Sequence, residues 1–168
     1  MFQYGVNVTL SDGISVTSNI ITNTAPASFQ NGPAGVVVSN CPRDTVTNIP
    51  ACSMAIIGNA ISVGNAYGVA LLSGASGLVQ NGQGIHVYHN NFLNNRIQAL
   101  DENPGQGLNQ WDNGYPSGGN FWSDYPGVDN CSGPGQNICP SLDGIGDTPY
   151  MFSFNQDNYP LMQPFTAS

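Results

Sequence analysis

A chain of 168 residues is long enough for one domain with a core of its own. Only 7% of its residues are charged, and ten acids stand against Arg43 and Arg96 for a formal charge of -8. With no basic face to neutralise phosphates, nucleic acid is excluded as a partner, and no apolar run approaches the length of a membrane span.

The first rhythm begins at Tyr4. Tyr4-Gly5-Val6-Asn7-Val8 returns as Ala34-Gly35-Val36-Val37-Val38, as Tyr67-Gly68-Val69-Ala70-Leu71 and, worn down, as Arg96-Ile97-Gln98-Ala99-Leu100, with starts 30, 33 and 29 residues apart. A second rhythm keeps step with it. Ile85 and Val87 alternate with His86 and Tyr88 ahead of Asn90, Phe92 and Asn94. Met54, Ile56, Asn59 and Ile61 hold the same places one repeat earlier, and Ile14, Val16, Asn19, Ile21 and Asn23 two repeats earlier. Period-two alternation means short strands with one apolar face. A repeat near 30 residues without a helical period means coils that stack on their equivalents. The expected fold is all-β: a right-handed parallel β-helix of about four rungs over residues 1–100, closed by a loop-rich C-terminal cap over residues 101–168 in the same domain.

Stacking predicts one inward column of Val6, Val36, Val69 and Ile97, a second of Val8, Val38, Leu71 and Ala99, and an outward column of Asn7, Val37, Ala70 and Gln98. Asn19, Asn59 and Asn90 are expected at one corner, where asparagine tolerates left-handed backbone angles and its amide can bond the amides of adjacent coils. The connections Thr24 to Pro33 and Asn40 to Ser53 are long, and variable loops on a regular scaffold are where binding usually resides.

The four cysteines allow three connectivities. Joining Cys41 to Cys52 and Cys131 to Cys139 would close two loops with little core of their own, each stabilised by roughly 2 to 3 kcal/mol. Four reduced thiols are the alternative. Disulfides imply an oxidising compartment, so the chain is expected to be extracellular, at a cell surface or periplasmic. Met1-Phe2-Gln3-Tyr4 lacks the basic and apolar regions of a signal peptide, which fits a mature product or a piece of a longer exported protein.

Past residue 100 the rhythm breaks, and both tryptophans and most of the acids gather. The last rung of a β-helix presents unpaired backbone and apolar side chains that must be covered. Trp111, Phe121, Trp122, Tyr125, Phe152, Phe154 and Tyr159 are expected to lie over it. Here Asn-Phe-Trp-Ser-Asp-Tyr (120–125), Asp-Gly-Ile-Gly-Asp-Thr-Pro-Tyr (143–150) and Asp-Asn-Tyr-Pro-Leu-Met (157–162) resemble the closing segment of NosD-like right-handed β-helix proteins. Those proteins include the periplasmic NosD family and many exported surface proteins with carbohydrate-binding and sugar-hydrolase type repeats. The resemblance implies fold and export more firmly than function. This chain inserts its Cys131 to Cys139 loop between Asp129 and Asp143, where many relatives carry a compact Asp-rich loop.

Several chemistries are then open. Asp124, Asp129, Asp143 and Asp147, with the carbonyl near Ile145, offer the oxygen ligands that Ca2+ takes, and Gly144 and Gly146 let the backbone bend around an ion. The competing reading has these carboxylates capping turns through backbone N–H groups. His86 and His89 alone are a thin basis for copper or zinc. A saccharide asks for exposed aromatic platforms, for which Tyr4, Tyr67, Tyr88, Trp111 and Tyr115 are candidates. A carbohydrate-active enzyme, a polysaccharide hydrolase or lyase, would need Asp101, Glu102 and Asp112 to converge near Arg96. The Tyr4 to Val8 edge also invites self-assembly, since a bare parallel edge accepts another strand. The expected function is a non-catalytic exported or cell-surface module with a structural, adhesive or assembly role, able to bind a polysaccharide or surface glycan and stabilised by calcium. The carbohydrate-active enzyme is the alternative.

Overall fold

Each rung is one turn of a three-sided coil. The computed structural model describes residues 4–22, 34–43, 45, 51–64, 66–75, 84–103, 109–153 and 155–167. The first coil contributes β1 (Tyr4–Thr9), β2 (Ser15–Thr17) and β3 (Ile20–Thr22), and the second β4 (Ala34–Ser39), β5 (Ser53–Ile57) and β6 (Ala60–Ser62). The third contributes β7 (Tyr67–Leu71), β8 (Gly84–Tyr88) and β9 (Asn91–Phe92), and the fourth β10 (Ile97–Asp101), β11 (Asn109–Gln110) and β12 (Phe121–Trp122). Equivalent strands pair in parallel in three sheets, ordered β1-β4-β7-β10, β2-β5-β8-β11 and β3-β6-β9-β12. This is the parallel β-helix that the repeat period requires. An antiparallel hairpin of β13 (Tyr150–Phe152) and β14 (Asn155–Asp157) lies in the cap. Asn23, the Thr24 to Pro33 connection, Asp44, residues 46–50 of the second long connection and Phe154 lie outside the described residues.

The fourth coil runs past residue 100 to Trp122, and its register corrects the expected columns. Val6, Val36 and Val69 are followed by Ala99, not Ile97; Val8, Val38 and Leu71 are followed by Asp101, not Ala99. The outward column Asn7, Val37, Ala70 ends in Leu100. The cause is the glycine that marks the other three coils. A Cβ on Gly5 would stand 2.6 Å from the Gly35 carbonyl oxygen, and one on Gly35 would stand 2.7 Å from that of Gly68. A Cβ on Gly68 would strike the carbonyl oxygen of Gln98. Each glycine thus lies against the next coil's backbone, and the requirement lapses at the last coil. Gln98 fills the place there. Its buried side chain accepts from Asn95 Nδ2 and donates to Ser123 Oγ and Asp124 Oδ1.

The asparagine corner is continuous and has four members. The backbone N–H and side-chain amide of Asn19 both donate to Asn59 Oδ1, those of Asn59 to Asn90 Oδ1, and those of Asn90 to Asn120 Oδ1. The left-handed backbone angles fall one residue earlier than expected, on Ser18, Gly58 and His89 with φ of 56°, 69° and 57°. That turn frees the asparagine to aim its amide along the stack, where buried Asn59, Asn90 and Asn120 are bonded at both amide atoms and each polarises the next.

Inside, the columns are apolar: Val16, Ile56 and Val87 from the second sheet, and Ile21, Ile61 and Phe92 from the third, all buried. Each such side chain contributes about 1.5 to 3 kcal/mol by leaving water. Towards the C-terminal end the columns turn aromatic. Trp122 stacks on Phe92 at 4.3 Å, Tyr150 stacks on Trp122 at 4.4 Å, and Phe152 meets Trp111 edge-on at 4.6 Å. Both disulfides join local partners, Cys41 to Cys52 and Cys131 to Cys139.

Candidate functional site

Alternation along β2, β5 and β8 sends Val16, Met54, Ile56, Ile85 and Val87 into the core and turns Ser15, Ser53, Ala55, Ile57, His86 and Tyr88 outward. Because outward Ser15, Ser53 and Ala55 are small beside the His86 and Tyr88 rings of β8, the sheet surface is stepped rather than flat. The result is an open groove of about 500 Å³ across three coils, lined by Gly13, Ser15, Ser53, Ala55, His86, Tyr88 and Asn113 among others. Tyr88 and His86 are both half-buried. The Tyr88 ring is held edge-on to His89 at 5.0 Å, and His89 is fixed in turn by its Nε2 contact with the Ser117 carbonyl at 2.8 Å and by stacking on Phe165 at 4.1 Å. His89 is therefore a support, while the faces of His86 and Tyr88 border the groove.

The remaining aromatic candidates sit elsewhere. Trp111 is 1% exposed in the core, with its Nε1 donating to Asp101 at 3.2 Å, so it cannot be a saccharide platform. The reason is positional: Trp111 follows Gln110, which pairs with outward His86, and so takes the next inward place. Tyr67 packs against the cluster of Ala34, Val37 and Ala70 on the first sheet, and half-buried Tyr115 lies 6.3 Å from Tyr159 in the cap. Only Tyr88 of these candidates lines the groove. Ser15, Ala55 and Asn113 were not singled out from the sequence, and His86 was weighed only as a metal ligand, although period-two alternation alone turns Ser15 and Ala55 outward.

The acids nearest the last coil do not face a common space. Asp101 is 1% exposed and accepts from the Asn103 backbone, Asn109 Nδ2, Trp111 Nε1 and Asn155 Nδ2. Asp112, also buried, accepts from the Gly114 backbone and from Asn158 N and Nδ2. Glu102 is exposed and takes the Ser73 N–H at 3.0 Å, while Arg96 is exposed on the corner before β10. Asp157, not singled out as a site residue, has the most demanding position. It receives the Asn120 N–H at 2.7 Å, Trp122 Nε1 at 2.9 Å and the Tyr159 N–H at 3.0 Å, with no exposure to solvent. Burial pushes its carboxyl up to about 7, with a smaller push from Asp112, against the pull of those donors towards the charged form.

In the 129–147 segment the carboxylates serve backbone donors. Asp129 accepts from the Asp143 and Gly144 N–H groups, Asp143 from Ile145 N–H and Gln136 Nε2, and Asp147 from the Asn130 and Cys131 N–H groups. Asp124 is held apart from them by Tyr150 Oη and Gln98 Nε2. Burial and the neighbouring Asp124 charge push the Tyr150 hydroxyl further up, keeping it a donor. Among the described residues no three His, Cys, Asp or Glu side chains are grouped as metal ligands would be.

Four stacked coils, a bonded asparagine corner and an aromatic cap define a protein of the parallel β-helix class. A model of one family within that class, described as periplasmic copper-binding protein (NosD), matches residues 3–127, so the chain belongs to the NosD family. No curated protein and no solved structure gives a match. The two disulfides and the family's periplasmic description both fit an exported protein. No helix among the described residues is long and apolar enough to cross a membrane.

Proposed function

We propose that this chain is a non-catalytic exported module with a structural or adhesive role, and that its β2–β5–β8 face binds a surface glycan. The observation that carries the reading is the groove itself. It is an open groove of about 500 Å³, lined by Ser53, Ala55 and Ile57 among others and bordered by the Tyr88 ring, whose face suits the C–H side of a pyranose. Non-catalysis is supported by the carboxylates: glycoside hydrolysis needs two that face one bond, whereas Asp101 and Asp112 are buried and occupied by donors. A glycan array followed by titration tests this. Binding is expected to weaken at least tenfold in Tyr88→Ala, with no sugar released. Binding unaffected by Tyr88→Ala, or turnover abolished by Glu102→Gln, would contradict it.

Calcium belongs to the same reading as a ligand of the 129–147 segment, supported by the bonds that hold Asp129 beside the Asp143–Gly144 turn. A calcium titration that raises Tm in the parent and not in Asp129→Asn would support it, and an unmoved Tm would remove it. Copper, named in the family description, is not matched by the donors present. All four cysteines are oxidised, and the His89 ring is committed to Ser117 and Phe165. His86 stands outward in register with Ala55 and Gln110.

A further inference from the structure

The chain carries ten acids, yet among the described residues no carboxylate lines the groove on the β2–β5–β8 face, and neither arginine does. Asp101, Asp112 and Asp157 are buried, and the carboxylates of the 129–147 segment hold backbone donors in the cap. The polar groups that line the groove are the hydroxyls of Ser15, Ser53 and Tyr88, the Asn113 amide and the His86 imidazole. One carboxylate stands at the rim. Asp12 Oδ1 accepts the Gly13 N–H at 2.8 Å and the Ser53 N–H at 2.6 Å, and Gly13 and Ser53 both line the groove. Those two bonds fix the carboxylate by one oxygen. Asp12 is exposed, and no donor among the described residues reaches its Oδ2.

We propose that the groove selects an uncharged glycan, and that Asp12 at its rim sets this selectivity. The inference rests on the reading of the groove as a glycan site and names the class of glycan it takes. A neutral sugar offers what these groups can use: a hydroxyl to donate to Asp12 Oδ2, further hydroxyls for the serine, tyrosine and amide groups, and a C–H face for the Tyr88 ring. A hydrogen bond to an ionised acceptor is shorter and stronger than one between neutral groups, so Asp12 favours a hydroxyl over water-filled space. A uronate or sulfated polymer brings its charge against Asp12 and against a chain of net charge -8, with no arginine lining the groove to offset it. An amino-sugar polymer meets a single exposed carboxylate there, and an exposed ion pair contributes little.

The probes are soluble tetrasaccharides of three kinds, titrated into the full chain at low and at high salt: neutral (glucose and N-acetylglucosamine tetramers), anionic (a galacturonate tetramer) and cationic (a glucosamine tetramer). A neutral tetramer is expected to bind at least about tenfold tighter than the uronate at low salt, with a gap that narrows at high salt as repulsion is screened. Asp12→Asn keeps an Oδ1 for the Gly13 and Ser53 N–H groups while removing the charge. In that variant neutral binding should weaken about threefold and the neutral-to-uronate ratio should fall about tenfold. Tighter binding of the uronate or amino tetramer, uronate binding that His86→Gln abolishes, or a ratio indifferent to Asp12→Asn would overturn the class of glycan and leave the groove reading standing. Binding of no tetramer at all would defeat the groove reading and this inference with it.

Discussion

At the C-terminal end of the coil stack the Asn120 amides meet the Asp157 carboxylate and Trp122 lies flat between Phe92 and Tyr150, whereas at the N-terminal end Asn19 is exposed and Ile20 stands 84% in solvent. Both ends are cut from the same repeat, so the difference lies in how the repeat is altered. In the last coil glycine gives way to Gln98, inward Leu71 to Asp101 and inward Phe92 to Trp122, and each replacement bonds or stacks with the cap. The first coil keeps the interior pattern unchanged. A stack of parallel coils does not close by itself; it needs side chains that convert a repeating edge into a surface.

Changes matched at the two ends sharpen this comparison. The largest effect is expected for Trp122→Ala, which removes the central ring of the aromatic stack and the Asp157 donor, at about 3 to 5 kcal/mol in urea unfolding. Ile20→Ala at the other end should stay within about 0.5 kcal/mol. A pH dependence should come next. The folded Asp157 carboxyl titrates at about 7 against an ordinary 3.8, so the native chain holds its proton over a range where the unfolded chain has lost it. Its contribution is complete below the ordinary value, is lost as pH rises through about 7, and is flat beyond. Thermal scans should show this decline in the parent and lose it in Asp157→Asn.

Smaller effects follow along the corner and the glycine row. Asn90→Ala leaves the buried Asn59 N–H without its acceptor and removes the Nδ2 bonds to the Ile56 and Tyr88 carbonyls and to Asn120 Oδ1, and should cost about 3 kcal/mol, against less than about 1 kcal/mol for Asn19→Ala. Gly68→Ala places a methyl against the Gln98 carbonyl and the Phe92 ring and should cost about 1 to 3 kcal/mol in chemical denaturation. Gln98→Ala, with no coil beyond it, should lose only its bonds to Asn95, Ser123 and Asp124, about 1 kcal/mol. If Gly68→Ala proved the milder of the two, the explanation of where glycine is needed would fail.

Much of the fold was legible because stacking repeats a pattern that the eye can align. Val6, Val36 and Val69 announce one column, and Asn19, Asn59 and Asn90 one corner. Legibility stopped at the fourth coil, where the marker glycine is replaced and the register must be found from partners in the cap. Asp101 therefore read as an acid that could converge with Glu102 and Asp112 near Arg96, although it completes the column of Val8, Val38 and Leu71 and is satisfied by side chains up to 54 positions away. Trp111 misled for the same reason. On the groove, Tyr88 was legible from alternation, but the depth of the surface depends on which small residues of two other coils lie beside it, and that needs the register of Ser53 with Gly84 and of Ala55 with His86.

The most direct test of the account is residue-resolved native-state hydrogen exchange along the asparagine row. Slowest exchange is expected at the Asn120 and Asn90 amides beside the cap, intermediate exchange at Asn59 and fastest at Asn19, in an order that Trp122→Ala compresses. An Asn19 amide as slow as that of Asn120 would contradict the claim that, among the described residues, the row is tied to a cap at Asn120 and not at Asn19.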